Sequence, residues 1–223
     1  MSDGAGPASG RSRAGPHVHG ESPVGPARRR VGIFGGSFNP PHLAHLALAR
    51  MARDTLALDE LRWLPAGMPW QKPAGELAPA EHRLAMVRLL VAEGPGFIVD
   101  ARELHRAGPS YTVDTLTELR AEQPGAELML VIGQDQYARI DTWRDAAQWR
   151  AWVQFAVAAR DGQPPQPPAD WHAGNHRLVV LPLPEHPISA THIRQRVRAG
   201  EDITPLVGPD VARYIDQHRL YRA

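Results

Sequence analysis

The chain has 223 residues, 43% of them hydrophobic, and a formal net charge of +1. That length suffices to bury a core in one domain of ordinary size, and no run of about 18 apolar residues offers a membrane span. There is no cysteine, which excludes a disulfide framework and thiolate metal sites and makes a reducing cytoplasm the expected home.

Residues 1–30 read "MSDGAGPASGRSRAGPHVHGESPVGPARRR". Gly, Pro, Ser and Arg dominate, and such a segment cannot bury enough surface to offset its chain entropy. It also lacks the apolar centre of a signal peptide. A disordered tail is predicted for 1–30, followed by a single domain over 31–223. Five arginines against Asp3 and Glu21 give the tail +3, which leaves −2 on the rest of a chain that totals +1. A basic excess confined to a tail argues against a nucleic-acid-binding domain. Neither nucleic acid nor membrane is an expected partner.

"VGIF" (31–34) reads as a buried strand, followed by helical periodicity over about 42–53. Strands are predicted next at 61–66, 96–100 and 127–133. Helices follow them at about 79–92, at 112–122 and, in two short pieces, at 134–139 and 145–150. Two further strands, 153–159 and 177–183, flank a Pro-rich loop at 161–170, and helices at 189–199 and 208–218 end the pattern. Strands alternating with helices imply βαβ units. The fold class is α/β: a Rossmann-like parallel sheet with helices on both faces. In such a sheet ligands sit beyond the carboxyl ends of the strands, so the chemistry is sought in the loops after the first four.

The first of these loops is "GGSFNPPHLAH" (35–45). Gly35 and Gly36 allow a tight turn and a close approach of backbone to ligand. Pro41 presets a first helical turn. His42 and His45, three apart, share one face of the helix start. Unpaired N–H groups and the helix dipole favour an anion there, and two imidazoles add donors. The combination reads as a phosphate site. A zinc pattern H-E-x-x-H needs spacing of four and a Glu, and neither G-x-x-x-x-G-K-[ST] nor G-x-G-x-x-G fits the loop. Two ordinary helix histidines are the alternative, against which the paired glycines and prolines weigh. One more residue stands out: Lys72 is the single lysine among 25 Lys and Arg residues.

These residues carry a resemblance. "GGSFNPPHLAH" resembles the H-x-G-H signature of the nucleotidyltransferase superfamily, and "ISATHIR" (188–194) its C-terminal ISSTxIR motif. "WLPAGMPWQK", "GPSYTVDTL" and "VIGQDQYARIDTW" are similar to the nicotinate-nucleotide adenylyltransferase family in particular. Five motifs in order span residue 31 to the C-terminus. Two positions depart from the pattern: Ala44 replaces a usual Gly, and Asn39 a common Asp. The resemblance implies a fold of the nucleotidyltransferase type and an enzyme that joins nicotinate mononucleotide to ATP, releasing pyrophosphate. Alternatives are a relative acting on nicotinamide mononucleotide or phosphopantetheine, and a non-catalytic nucleotide sensor.

Attack of an anionic phosphate on the α-phosphorus of ATP needs alignment and charge neutralisation rather than a general base. His42, His45 and Arg194 are the expected catalytic groups. Gly35, Gly36, Ser37, Phe38, Lys72, Ser189 and Thr191 are expected to bind ATP, Lys72 by resemblance alone. For the mononucleotide, Asp135 is placed to bind ribose hydroxyls or to cap its helix, and Trp143 to stack on the pyridine ring or to pack in the core. Ser110, Tyr111 and Thr112 lie at a helix start whose free N–H groups suit the ring's acid group. Magnesium is expected to arrive with ATP, with no protein metal site.

Overall fold

The computed structural model describes residue 1 and residues 28–69, 77–159, 164–169, 171, 176–182 and 187–222. In chain order the elements are β1 (Arg30–Gly36), α1 (Leu43–Leu56), β2 (Glu60–Pro65), α2 (Ala80–Val91), β3 (Phe97–Val99), α3 (Arg102–His105) and α4 (Thr112–Glu122). There follow β4 (Glu127–Gly133), α5 (Gln134–Tyr137), a 3₁₀ turn (Ile140–Thr142), α6 (Ala146–Trp149), β5 (Gln154–Ala158) and β6 (Arg177–Leu181). The last three are α7 (Ala190–Arg198), α8 (Thr204–Val207) and α9 (Pro209–Gln217).

All six strands are parallel, in the order β3-β2-β1-β4-β5-β6. The chain winds outward from β1 to β3, then crosses to β4 and winds outward to β6. The direction of winding reverses between β1 and β4, and a crevice opens beyond their carboxyl ends.

The strands sort their side chains by alternation. On β4, Leu128, Leu130 and Ile132 pack with Leu116 and Leu119 of α4 and with Trp149 of α6, whereas Met129 and Val131 pack with Leu48, Ala49 and Ala52 of α1. Both faces are buried, which is why "ELMLVIG" is a continuous apolar run. A third cluster joins Ile193 of α7, Val207 of α8 and Val211 and Ile215 of α9 to Met86 of α2. Among the described residues no helix is long and apolar enough to cross a membrane.

Three details differ from the expectations. The sheet region reaches back before residue 31: the Arg29 carbonyl accepts from Glu127 N at 2.8 Å, its guanidinium donates to Glu60 at 2.6 Å, and β1 starts at Arg30. The helix expected at 134–139 is one turn, α5, followed by the separate 3₁₀ turn. The four-residue α3 and α8 were not anticipated, because one turn is too short to display a period.

Candidate active site

A cavity of about 660 Å³ opens over the carboxyl ends of β1 and β4. Gly35, Gly36, Ser37, Phe38, His42 and His45 line it from the β1–α1 loop, with Ala44 beside them. Ser189 lines it from the start of α7. Ser110 and Thr112 from the start of α4, and Asp135 and Trp143 after β4, wall the opposite side. Three predicted residues do not line it: Tyr111, Thr191 and Arg194. Lys72 lies outside the described residues.

The helix start differs slightly from the expected one. His42 is the N-cap of α1, extended at φ −150, and His45 is the third helical residue. The amide of His42 donates to His45 Nδ1 at 3.2 Å, and the two rings stack with centroids 3.6 Å apart. Because Nδ1 accepts, the ring hydrogen of His45 sits on Nε2, which makes that edge a donor. Phe34 and Phe38 fix the ring from the side, at 6.1 and 5.1 Å between centroids. Phe38 is buried in the left-handed region at φ 44. Its ring lies over Gly36, where a Cβ would approach it to 3.1 Å. Gly36 thus makes room for Phe38, and Phe38 mainly seats His45.

Arg194 is engaged within the protein. Its Nη1 donates to the Asn39 carbonyl at 2.9 Å and its Nη2 to Thr191 Oγ1 at 3.4 Å. It thereby ties α7 to the β1–α1 loop, which accounts for Thr191 and Arg194 standing back from the cavity wall. Ser189 is the N-cap of α7 and accepts from His192 N at 3.2 Å. Asn39, 2% exposed, accepts on Oδ1 from Ala78 N and from the Tyr221 hydroxyl, each at 2.9 Å. Burial raises the pKa of Tyr221, so its hydroxyl stays a donor.

Sequence reasoning missed Arg83, 1% exposed. Its guanidinium donates to four backbone carbonyls, those of Ala78, Ser37, Ala66 and Gly67, at 2.7–3.2 Å. One side chain thus holds together the loops after β1 and β2. A signal existed: Arg83 lies three and four residues before Met86 and Val87, on the apolar stripe of α2.

On the far wall the extended N-cap of α4 alternates its side chains. Ser110 and Thr112 face the cavity, while Tyr111 turns away and lies under Arg144, 4.7 Å from its ring centroid. The Tyr111 ring therefore does not line the cavity. Ser110 is not an open ligand group either, because its Oγ accepts from Gly67 N at 3.0 Å and Met68 N at 3.4 Å. Glu103 of α3, also missed, lines the cavity and is 8% exposed. Burial pushes its carboxyl up, against hydrogen bonds from Thr115 and Ser110 and the charge of Arg106. Asp135 lies in the first turn of α5, whose N-cap is Gly133, so Asp135 is not the cap. Trp143 packs against the β4–β5 core and also lines the cavity.

Fold and cavity define a class, and comparison with known proteins agrees. The chain belongs to the cytidylyltransferase-like family, whose profile matches residues 33–196. Within it, the chain is similar to nicotinate-nucleotide adenylyltransferases. A protein of Methylibium petroleiphilum bearing that name, qualified as probable, is 48% identical over 87% of this chain and 93% of its own. Another so named, from Albidiferax ferrireducens, is 43% identical over 87% of this chain and 98% of its own. Among solved structures, the Plasmodium falciparum nicotinic acid mononucleotide adenylyltransferase, complexed with APC or with NaAD, has a TM-score of 0.70. At 18% identity, covering 87% of this chain and 98% of that one, this is a likeness of fold.

Proposed function

We propose that the chain transfers the adenylyl group of ATP to nicotinate mononucleotide, giving nicotinate adenine dinucleotide and pyrophosphate. One observation carries the reading: a single cavity at the topological switch has the His42–His45 helix start on one side and the α4 start, Asp135 and Trp143 on the other. Relatives of that name at 43–48% identity support it.

The mononucleotide phosphate, already an anion, attacks the α-phosphorus in line, and pyrophosphate leaves. No proton has to be removed, so the protein's task is alignment and stabilisation of charge. The Nε2–H of His45, the stacked His42 and the backbone N–H groups of Leu43 and Ala44 at the start of α1 serve the α-phosphate oxygens. Gly35, Gly36, Ser37 and Phe38 pass along the nucleotide; Ser189 meets the leaving pyrophosphate at the cavity wall, Arg194 and Thr191 behind it lend positive charge and anchor the start of α7, and Lys72 is a further phosphate contact. Asp135 takes the mononucleotide ribose and Trp143 the face of the pyridine ring. The N–H groups of the α4 start, rather than the Ser110 hydroxyl or the Tyr111 ring, read the acid group. Magnesium enters as part of the substrate MgATP: the side-chain donors on the ATP side are nitrogens and hydroxyls, suited to phosphate oxygens rather than to a hard cation. The reaction takes place in the cytoplasm, without nucleic-acid or membrane partners.

Incubation with MgATP and nicotinate mononucleotide is expected to yield dinucleotide and pyrophosphate in equal amounts, and no pyrophosphate without the mononucleotide. ATP binding without pyrophosphate release would favour a sensor instead.

A further inference from the structure

We propose that Glu103 is a specificity-determining residue: its carboxyl shares one arm of the cavity with the acid group of the pyridine ring, and the acid mononucleotide binds with uptake of a proton from solvent by Glu103. The inference rests on the reading of the far wall as the mononucleotide site.

Glu103 lines the cavity together with Ser110, Thr112 and Thr115. Its backbone is fixed by close packing: a Cβ on Gly67 would lie 2.2 Å from the Glu103 carbonyl oxygen. Its side chain is fixed by hydroxyls. Thr115 Oγ1 donates to Oε1 at 2.8 Å and itself accepts from Arg106 Nη1 at 3.1 Å. Ser110 Oγ accepts from the Gly67 and Met68 amides, which directs its hydrogen to Glu103. The carboxyl therefore cannot swing away when a ligand enters.

Two states of this group treat the two ligands oppositely. An ionised Glu103 repels a ring carboxylate and can accept from the N–H₂ of an amide. A protonated Glu103 carries one O–H donor, which a carboxylate accepts well, and has weaker acceptors for an amide. Two carboxylates brought together at this buried wall do not both stay ionised cheaply, so the one with the higher pKa takes the proton. The ring acid is the stronger acid, and burial already pushes Glu103 upward. The surrounding charges do not remove this conflict. Arg106 is paired with Glu118 at 2.7 Å, and Asp100 is held by Arg62 and Arg102 at 3.0 and 2.8 Å. Asp135 lines the cavity from α5 and adds negative charge, while His42 and His45 line it from α1.

The test is calorimetric titration of the full chain with nicotinate mononucleotide and with nicotinamide mononucleotide, in buffers of different ionisation heat, from about pH 6 to about pH 8.5. Titration of the phosphate and of the histidines is common to both ligands, so the difference between them isolates the ring acid. The expected result is uptake of about half a proton or more in excess for the acid ligand, with the acid-to-amide affinity ratio falling by about tenfold or more across the range. Glu103→Gln is expected to flatten that ratio and to equalise proton uptake. Equal uptake in the unaltered protein, or a slope that survives in Glu103→Gln, overturns the proposal. Binding of the acid ligand without extra uptake removes the role of Glu103 alone, whereas binding of neither ligand removes the mononucleotide site and this inference with it.

Discussion

His45 illustrates how much one imidazole contributes at this helix start. Its Nδ1 is occupied by the His42 amide and its ring is held by Phe34 and Phe38, so Nε2–H is a donor in a fixed direction. His45→Ala removes that donor from the developing charge and is expected to lower turnover by about 10²–10³-fold, the range for one transition-state donor. Steady-state pyrophosphate release measures it, and a loss of less than about threefold would contradict the role. The His42 and His45 pair was legible because spacing, glycines and prolines coincided in one loop. The roles of Phe38 and Ser110 were not, because a buried left-handed aromatic and a hydroxyl saturated by two amides leave no local pattern. Tyr221→Phe removes one donor from Asn39, which still accepts from Ala78. A loss of about 1 kcal/mol in urea unfolding is expected.

At the scale of elements, the loops around the cavity are held by side chains from elsewhere in the chain. Arg83 on α2 serves the loops after β1 and β2 at once. Arg83→Met leaves four backbone carbonyls short of a donor and is expected to cost at least about 2 kcal/mol in denaturant unfolding. Arg83→Lys should recover only part of this, because an ammonium cannot reproduce the planar fork. A loss of less than about 0.5 kcal/mol for the Met variant would mean that the loops stand without it. The parallel sheet was readable from alternation of apolar runs with helical periods, and its six strands fall within a few residues of the expected ones. Helix α3 was not, and Glu103 went unnoticed with it. A single turn has no period, and an acid on it looks like any solvated carboxylate until β2, α3 and α4 are brought together.

For the whole molecule, an ion-pair network in which Arg62 joins Glu60 to Asp100 governs the response to acid. Glu60 is buried, which pushes its carboxyl up, but hydrogen bonds from Gln123 and Arg62 and the charges of Arg62 and Arg29 outweigh this and leave it lowered. Asp100 is lowered likewise, with burial outweighed by Arg102 and Arg62. A carboxylate with a depressed folded pKa contributes stability that is present above its unfolded value and is lost as pH falls through the folded one. The melting temperature is therefore expected to hold down to about pH 4.5 and to fall steadily below it, the region of unperturbed carboxylates. A melting temperature unchanged at about pH 3 would contradict the ion-pair account.

The N-terminal segment gives a sharper boundary. Removal of residues 2–27, nearly devoid of large apolar side chains, is expected to leave melting temperature and activity unchanged. Removal through Arg30 takes away the Arg29–Glu60 pair and the first ladder residue of β1, and is expected to lower the melting temperature by a few degrees.

A cavity that joins an acidic pyridine mononucleotide to ATP must separate the acid from its amide. The ratio of kcat/KM for nicotinate and nicotinamide mononucleotides, measured with saturating MgATP at neutral pH, reads that separation. A preference for the acid of at least about 10²-fold is expected, the order found when buried polar groups are mismatched to a ligand. Near-equal values, or a preference for the amide, would contradict it.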